Sequence, residues 1–155
     1  MLRSLDDPKV CVGLGRRFEK LAPSTLPRWG AMSSPQMLRH LALAFEMALG
    51  DCAVLDRPER GLDRPIVRFV VLSLPVRWPH GTPTIPEIDI AAHPSVEEPA
   101  TPFTELRSAV ISVMTRFSQA RDFRPAHPLL GRFTRDQWMR WGFLHTDHHL
   151  RQFGC

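Results

Sequence analysis

Apolar residues recur along this chain at helical spacing in four blocks, and each block is bracketed by capping or stop signals. Asp7 followed by Pro8 opens the first, and Val10, Leu14, Phe18 and Leu21 then share one face, which predicts a helix over about residues 8–21. Gly13 and Gly15 inside it each cost about 1 kcal/mol relative to Ala. The pair has no third glycine and no preceding strand, so it is not a nucleotide-binding loop. A turn-rich stretch over residues 22–32 leads to Ser33 or Ser34 as the cap of a second helix, with Pro35 at its first position and Gly50 as its stop. A third helix, capped by Thr101 with Pro102 at its opening position, runs to about residue 118, with Leu106, Val110, Val113, Met114 and Phe117 facing inward. The fourth opens at Thr134, where Thr134 and Gln137 have the spacing of a capping box, and continues to about Gln152.

Between the second and third helices, residues 51–100 are irregular. They hold a short apolar run over 65–74, readable as helix or strand, and then a proline-rich segment. Fifty residues is long for a connection, and loops of that size tend to carry function or to cover something, so the segment is expected to act as a lid. The 155 residues are otherwise expected to form a single all-α domain spanning 1–155.

Two helical faces carry the candidate chemistry. At 100° per residue, with His40 at zero, Met47 falls at about 340°, Leu43 at about 300°, Ala44 at about 40° and Met37 at about 60°. His40 is thus centred on an apolar face, where a histidine taken alone reads as a hydrogen-bonded core residue. On the fourth helix, with His145 at zero, Trp138 lies at about 20°, His149 at about 40°, Gln152 at about 340°, Trp141 at about 320° and His148 at about 300°. Asp136, Arg140, Asp147 and Arg151 fill the opposite, wet side.

His145 and His149 are i, i+4 neighbours, about 5–6 Å apart at Cβ, a spacing from which two imidazoles can bind one ion. With seven histidines in the chain, roughly 0.3 such pairs arise by chance, so the pair needs context. Axial level supplies it. His40 lies about 7.5 Å into its helix, and His145 and His149 lie about 10.5 and 4.5 Å from the end of theirs. If the two helices run antiparallel, the three histidines share one level; if parallel, they miss by roughly 7–13 Å. Three imidazoles projecting inward from facing helices is how bundle cores build metal sites.

The blocks WGAMSSPQMLRHLALAFEMALG, WPHGTPTIPE and HPLLGRFTRDQWMRWGFLHTDHHLRQFG resemble, in order and spacing, an uncharacterised bacterial branch of the DinB-like (DinB/YfiT) four-helix-bundle superfamily. The likeness runs from about Trp29 to Gly154, and its last block is the specific part. It implies an up-down-down-up bundle with a long crossover between helices 2 and 3, hence antiparallel helices 2 and 4. It also implies a metal triad on His40, His145 and His149, and, from relatives that are thiol transferases, a thiol as one possible substrate.

Three neutral imidazoles suit Zn, Ni, Fe or Cu and disfavour Mg or Ca, with Zn or Ni the expectation. A three-histidine set without a fourth protein ligand leaves room for water or a small-molecule substrate. That points to a metal-dependent hydrolase acting through metal-bound hydroxide, or to thiol transfer through a metal-bound thiolate. The alternative is a non-catalytic metal-binding or interaction module whose ion staples two helices, since no convincing acid or base accompanies the triad.

His148 flanks the stripe and is a candidate to relay protons or orient substrate, although an adjacent histidine is more often an outer or surface residue. His127, in the HPLLG turn, could approach from the loop or simply stabilise the turn. Glu87 is the one carboxylate of the lid that could act as acid or base, whereas Glu46 and Asp147 point away. Met37, Met47, Trp138 and Trp141 could wall the site or pack the core. Gln152 could bond a metal-bound water or be a plain helix-end amide, and Cys155 reaches the ion only if the tail curls back.

Composition narrows the rest. A hydrophobic fraction of 43% against 23% charged residues is that of a folding chain. The longest apolar run, residues 66–74, is interrupted by Arg68 and is half the ~20 residues of a membrane helix. The net charge of +4 comes from 18 Arg against two Lys, scattered with no run longer than Arg16-Arg17, which gives no nucleic-acid patch. The N-terminus turns acidic where a signal peptide needs an apolar core, so a cytoplasmic location is the expectation. Cys11, Cys52 and Cys155 show no CxxC spacing and read as reduced thiols. Wide apolar faces on helices 1 and 3 make a homodimer an expectation as well.

Overall fold

Local signals set the two helices that carry the histidines. In a computed structural model describing residues 2–55, 62–74, 78–81, 84–90 and 101–155, helix α2 spans Ser34–Leu49. The Ser33 hydroxyl accepts from the Gln36 backbone amide at 3.3 Å, and the Gln36 side-chain oxygen Oε1 accepts from the Ser33 backbone amide at 2.8 Å. Gly50 closes the helix at φ 83°, a left-handed conformation that glycine adopts without a Cβ penalty. Helix α5, Arg135–Gln152, opens on the same reciprocal pair between Thr134 and Gln137. Each such cap contributes about 1 kcal/mol and fixes where the helix begins, hence the angular position of every later side chain.

The other helices are α1 (Pro8–Phe18), α3 (Pro65–Ser73) and α4 (Phe103–Gln119), and a two-residue hairpin pairs Ala126–His127 (β1) with Gly131–Arg132 (β2). The class is all-α. Helix α1 stops three residues short of the expected end because its last turn tightens to i→i−3 bonds: the Lys20 amide donates to Arg17 O and the Leu21 amide to Phe18 O. Helix α4 starts at Phe103, not at Pro102. Pro102 is extended at ψ 138°, and no side chain caps the helix, so Thr101 does not play that role. The run over residues 65–74 resolves as a helix. Of the expected crossover, residues 56–61, 75–77, 82, 83 and 91–100 lie outside the described set.

Contacts fix the directions of the helices. Along α2, His40 meets His145 and His149, Phe45 meets Trp141, and the Ala48 carbonyl accepts from Arg124, whose own carbonyl accepts from Trp138 Nε1. Moving up α2 is moving down α5, so the two run antiparallel. The C-terminal ends of α2 and α4 come together through Phe45 on Phe117, with ring centroids 4.8 Å apart, and the Arg116–Asp51 ion pair. On the other side α1 follows α5, from Leu5 on Met139 to Arg17 on Asp147 at 2.7 Å. Leu5, Phe18, Leu38, Leu41, Met114 and Leu150 fill the space between them, each 2% exposed or less.

Gly142 marks the closest approach of this core to α5. A Cβ there would lie 2.7 Å from Leu5 Cδ1, 2.9 Å from Phe117 Cε1 and 3.2 Å from Phe45 Cε1. Gly142→Ala gains up to about 1 kcal/mol of helix propensity but forces ring edges apart at a cost of about 1–3 kcal/mol. The net result should be a lower denaturant midpoint, and a raised midpoint would show that α5 does not approach so closely.

Candidate metal centre

Because α2 and α5 are antiparallel, the N-terminal part of one faces the C-terminal part of the other, and three imidazoles meet there. Ring centroids are 5.1 Å apart for His40–His145, 4.8 Å for His40–His149 and 4.8 Å for His145–His149. His145 Nε2 stands 3.1 Å from Nε2 of His40 and 3.1 Å from Nε2 of His149. The three ligand-type nitrogens all lie within 4.8 Å of one another, and this is the one such group of His, Cys, Asp or Glu among the described residues.

Outer hydrogen bonds determine which nitrogens carry protons. His40 Nδ1 lies 2.8 Å from the Ile88 carbonyl, which can only accept, so Nδ1 is the protonated nitrogen. Gln152 Nε2 donates to the Trp29 carbonyl at 2.7 Å, which turns its amide oxygen towards His149. His149 Nδ1 donates to that oxygen at 2.8 Å. Both rings, when neutral, therefore present bare Nε2 lone pairs to His145 Nε2. That atom holds at most one hydrogen. At least one of the two 3.1 Å contacts therefore has no hydrogen in it and leaves a bare Nε2 lone pair unpaired, inside a region where unpaired polar atoms are costly.

Protonation does not relieve the conflict. Burial, foremost, pushes His40 and His149 below the ordinary histidine range, although the Ile88 carbonyl and Asp89 act upward on His40 and the Gln152 bond acts upward on His149. His145 is held well below it by burial and then by its neighbours His149 and His40. A cation shared by the three nitrogens satisfies all of them. Nitrogens about 2.0–2.1 Å from one ion, at angles between a right angle and the tetrahedral one, are about 2.8–3.4 Å apart. The two 3.1 Å separations fall in that interval, whereas the third pair, His40 and His149, is held only to within 4.8 Å, so those two rings must swing together to close on one ion.

The other candidates are distributed unevenly. Trp141 stands beside the cluster, its ring centroid 5.0 Å from that of His145. Trp138 does not. Its Nε1 donates to Arg124 O, and it packs on Phe123, Phe133, His127 and Trp141. Met37 and Met47 are core residues, 0% and 1% exposed. Gln152 stands behind His149, its amide used by the imidazole and by the Trp29 carbonyl. His127 Nδ1 accepts from the Leu129 and Leu130 amides at 3.2 and 3.3 Å, which makes it the brace of its turn. The Glu87 carboxylate accepts from the Leu55 amide at 3.3 Å and secures the crossover. Cys155 stays at the α1–α5 seam, its carbonyl accepting from Arg17 and its thiol near Phe153 O. Asp147 pairs with Arg17 and Arg151, away from the imidazoles.

His148 sits against His149, Trp29, Trp78 and His80, and its buried Nδ1 has no hydrogen-bond partner among the described residues. Burial, then Arg151, pushes it down to about 4. Sequence reasoning missed three of these neighbours. Trp29 stacks on His80 with centroids 3.9 Å apart, and Trp78 lies 6.1 Å from both His145 and His148. They come from two loops where no periodicity applies, and the one available signal was their place in the blocks WGAMSS and WPHG. The Ile88 carbonyl, a backbone group, leaves no sequence signal at all.

A pH dependence follows from these shifts. His127, buried among aromatic rings and close to Arg124, is pushed down to about 3. Below about pH 6.5 the unfolded chain takes up a proton at each such histidine and the folded chain does not, so stability present above that pH is lost as it falls. The metal-free protein should lose up to about 1.4 kcal/mol per pH unit for each such histidine between about pH 6 and pH 4. Urea melts at pH 7.5, 6 and 4.5 check this; a midpoint that stays level would contradict it.

Comparison with known proteins adds the family but not an activity. No curated protein and no solved structure matches the chain. A family model described as a protein of unknown function (DUF1569) matches residues 14–154, nearly the whole length, and the chain belongs to that family.

Proposed function

We propose that the protein is a metal-dependent enzyme whose ion is held by His40, His145 and His149 and is open to a small-molecule guest. The observation that carries this reading is the proton count: two fixed Nδ1 donors leave three Nε2 atoms converging with at most one hydrogen among them. The resemblance to DinB-like proteins supports the same three residues. Neutral imidazoles favour a divalent transition ion, with Zn or Ni preferred and Fe possible. Such an ion, when bound, supplies Lewis acidity and lowers the pKa of a water or thiol that joins it.

The chain's own residues do the rest. The Ile88 carbonyl and the Gln152 amide fix the tautomers and ring planes of His40 and His149, so that both Nε2 atoms are left bare to face the ion. The indoles of Trp141 and Trp78 lie beside His145, which lowers the local dielectric and strengthens charge interactions with a bound guest. His148 Nδ1, buried beside Trp78 and without a partner among the described residues, is the group placed to hydrogen-bond that guest. Substrate and reaction type follow from this only as classes: a hydrolysable small molecule, or a thiol delivered to an electrophile.

A cobalt derivative tests the reading. Its visible spectrum should shift on adding small anions or thiols, as a site with an exchangeable position requires. A spectrum indifferent to every added ligand would favour the second reading, a structural ion linking α2 to α5. That reading draws on the absence of any carboxylate from the histidine cluster among the described residues. Gln152→Ala should weaken zinc binding by about 10–100-fold through loss of the His149 partner, with helix content unchanged. Chelator competition measures it, and wild-type affinity in that variant would remove Gln152 from the site.

A further inference from the structure

The outer nitrogens of the three imidazoles are not held alike. His40 and His149 are 2% and 8% exposed, and each fixes its Nδ1 through a 2.8 Å hydrogen bond. His145 is only half-buried, and no described residue hydrogen-bonds its Nδ1. Its ring is bounded instead by indoles, Trp141 at 5.0 Å and Trp78 at 6.1 Å, tilted by 35° and 32° from its plane. Metal-binding histidines nearly always donate their second N–H to an acceptor, which sets both tautomer and ring plane. A ring lacking that bond can change tautomer and turn about its own axis at little cost. His145 is also in the middle of α5, so its side chain can leave without disturbing a helix end.

Building on the metal reading above, we propose that His145 is the exchangeable ligand. The ion is retained by His40 and His149, and a planar nitrogen heterocycle from solvent, with imidazole as its simplest member, takes the place of the His145 ring in the slot beside Trp78 and Trp141. The slot suits such a guest on three counts. Two indoles border it, it lies at the least buried of the three histidines, and no described residue makes a demand on the outer nitrogen. The same replacement at His40 or His149 would displace a buried ring. It would also strand the Ile88 carbonyl or the Gln152 amide inside the protein.

The test compares His40→Ala, His145→Ala and His149→Ala with wild type, reading cobalt content after desalting and visible absorption with and without imidazole. Wild type is expected to hold cobalt. His145→Ala should lose at least roughly tenfold less affinity than either other variant, and imidazole should restore its absorption. Imidazole should do nothing for His40→Ala or His149→Ala. Equal losses in all three with no rescue, or equal rescue of His40→Ala, would overturn the proposal while leaving the metal reading intact. Failure of wild type to take up cobalt would sink the metal reading itself. Circular dichroism monitors folding, and if His145→Ala loses helix content, His145→Asn with the same readouts takes its place.

Discussion

His40→Ala is expected to abolish metal-dependent stabilisation. An ion that binds only the folded chain adds about 4 kcal/mol when present at 1,000 times its Kd. For a domain of this size that is a rise of about 8–16 °C in Tm, at about 2–4 °C per kcal/mol. Wild type should show such a rise with zinc. The variant should show almost none, because His40 is the one ligand contributed by α2, and without it the site is an i, i+4 pair on a single helix. Two losses can be separated in this experiment. Removing the imidazole also orphans the buried Ile88 carbonyl, which costs about 1–3 kcal/mol with or without metal. The metal-free variant therefore melts lower than the metal-free wild type, and the zinc increment is read on top of that difference. A variant that keeps the full zinc increment would contradict the role given to His40.

The second large effect concerns the packing that holds α2 and α5 in register. Phe117 is 0% exposed, and its ring meets Phe45, Phe123 and Trp141 at centroid distances of 4.8, 4.9 and 6.4 Å. It therefore ties α4 both to the helix carrying His40 and to the helix carrying His145 and His149. Phe117→Ala should cost about 3–5 kcal/mol, a large share of the about 5–15 kcal/mol available to a domain. In thermal melts that is a fall on the order of 6–20 °C. Zinc affinity should fall as well, although Phe117 touches none of the three imidazoles, because a loosened α4 no longer fixes the level of α2 against α5. A loss below about 1 kcal/mol would mean that the aromatic cluster is not packed as described.

Much of this arrangement could be read from the sequence, and the reasons are specific. Ser33, Gln36 and Gly50 bound α2, and Thr134 with Gln137 opens α5, by short-range chemistry that no tertiary contact overrides. Helical angle then put His40 on one face and His145 with His149 on another, and rise per residue put them on one level for antiparallel helices. What escaped was whatever depends on loops or on direction within a face. The acceptor for His40 is a backbone carbonyl 48 residues away. The Trp29–His80 stack joins two irregular segments. Gln152 shares an angular stripe with His149, but angle does not say whether a side chain stands before or behind the ring, and the Trp29 carbonyl decides that. Trp138 shared the stripe too, yet the β1–β2 hairpin and its His127 draw it into a separate aromatic cluster. The segment over residues 65–74 is apolar with no clear period, so helix and strand stood equal until its contacts were known.

Elemental analysis of the protein purified without a histidine tag, from cells grown with ample transition metals, tests the central claim most directly. A single Zn or Ni ion per chain is the predicted result, falling to background in His40→Ala while that variant keeps its helices. Well-folded wild-type protein that carries no transition metal under those conditions would contradict it.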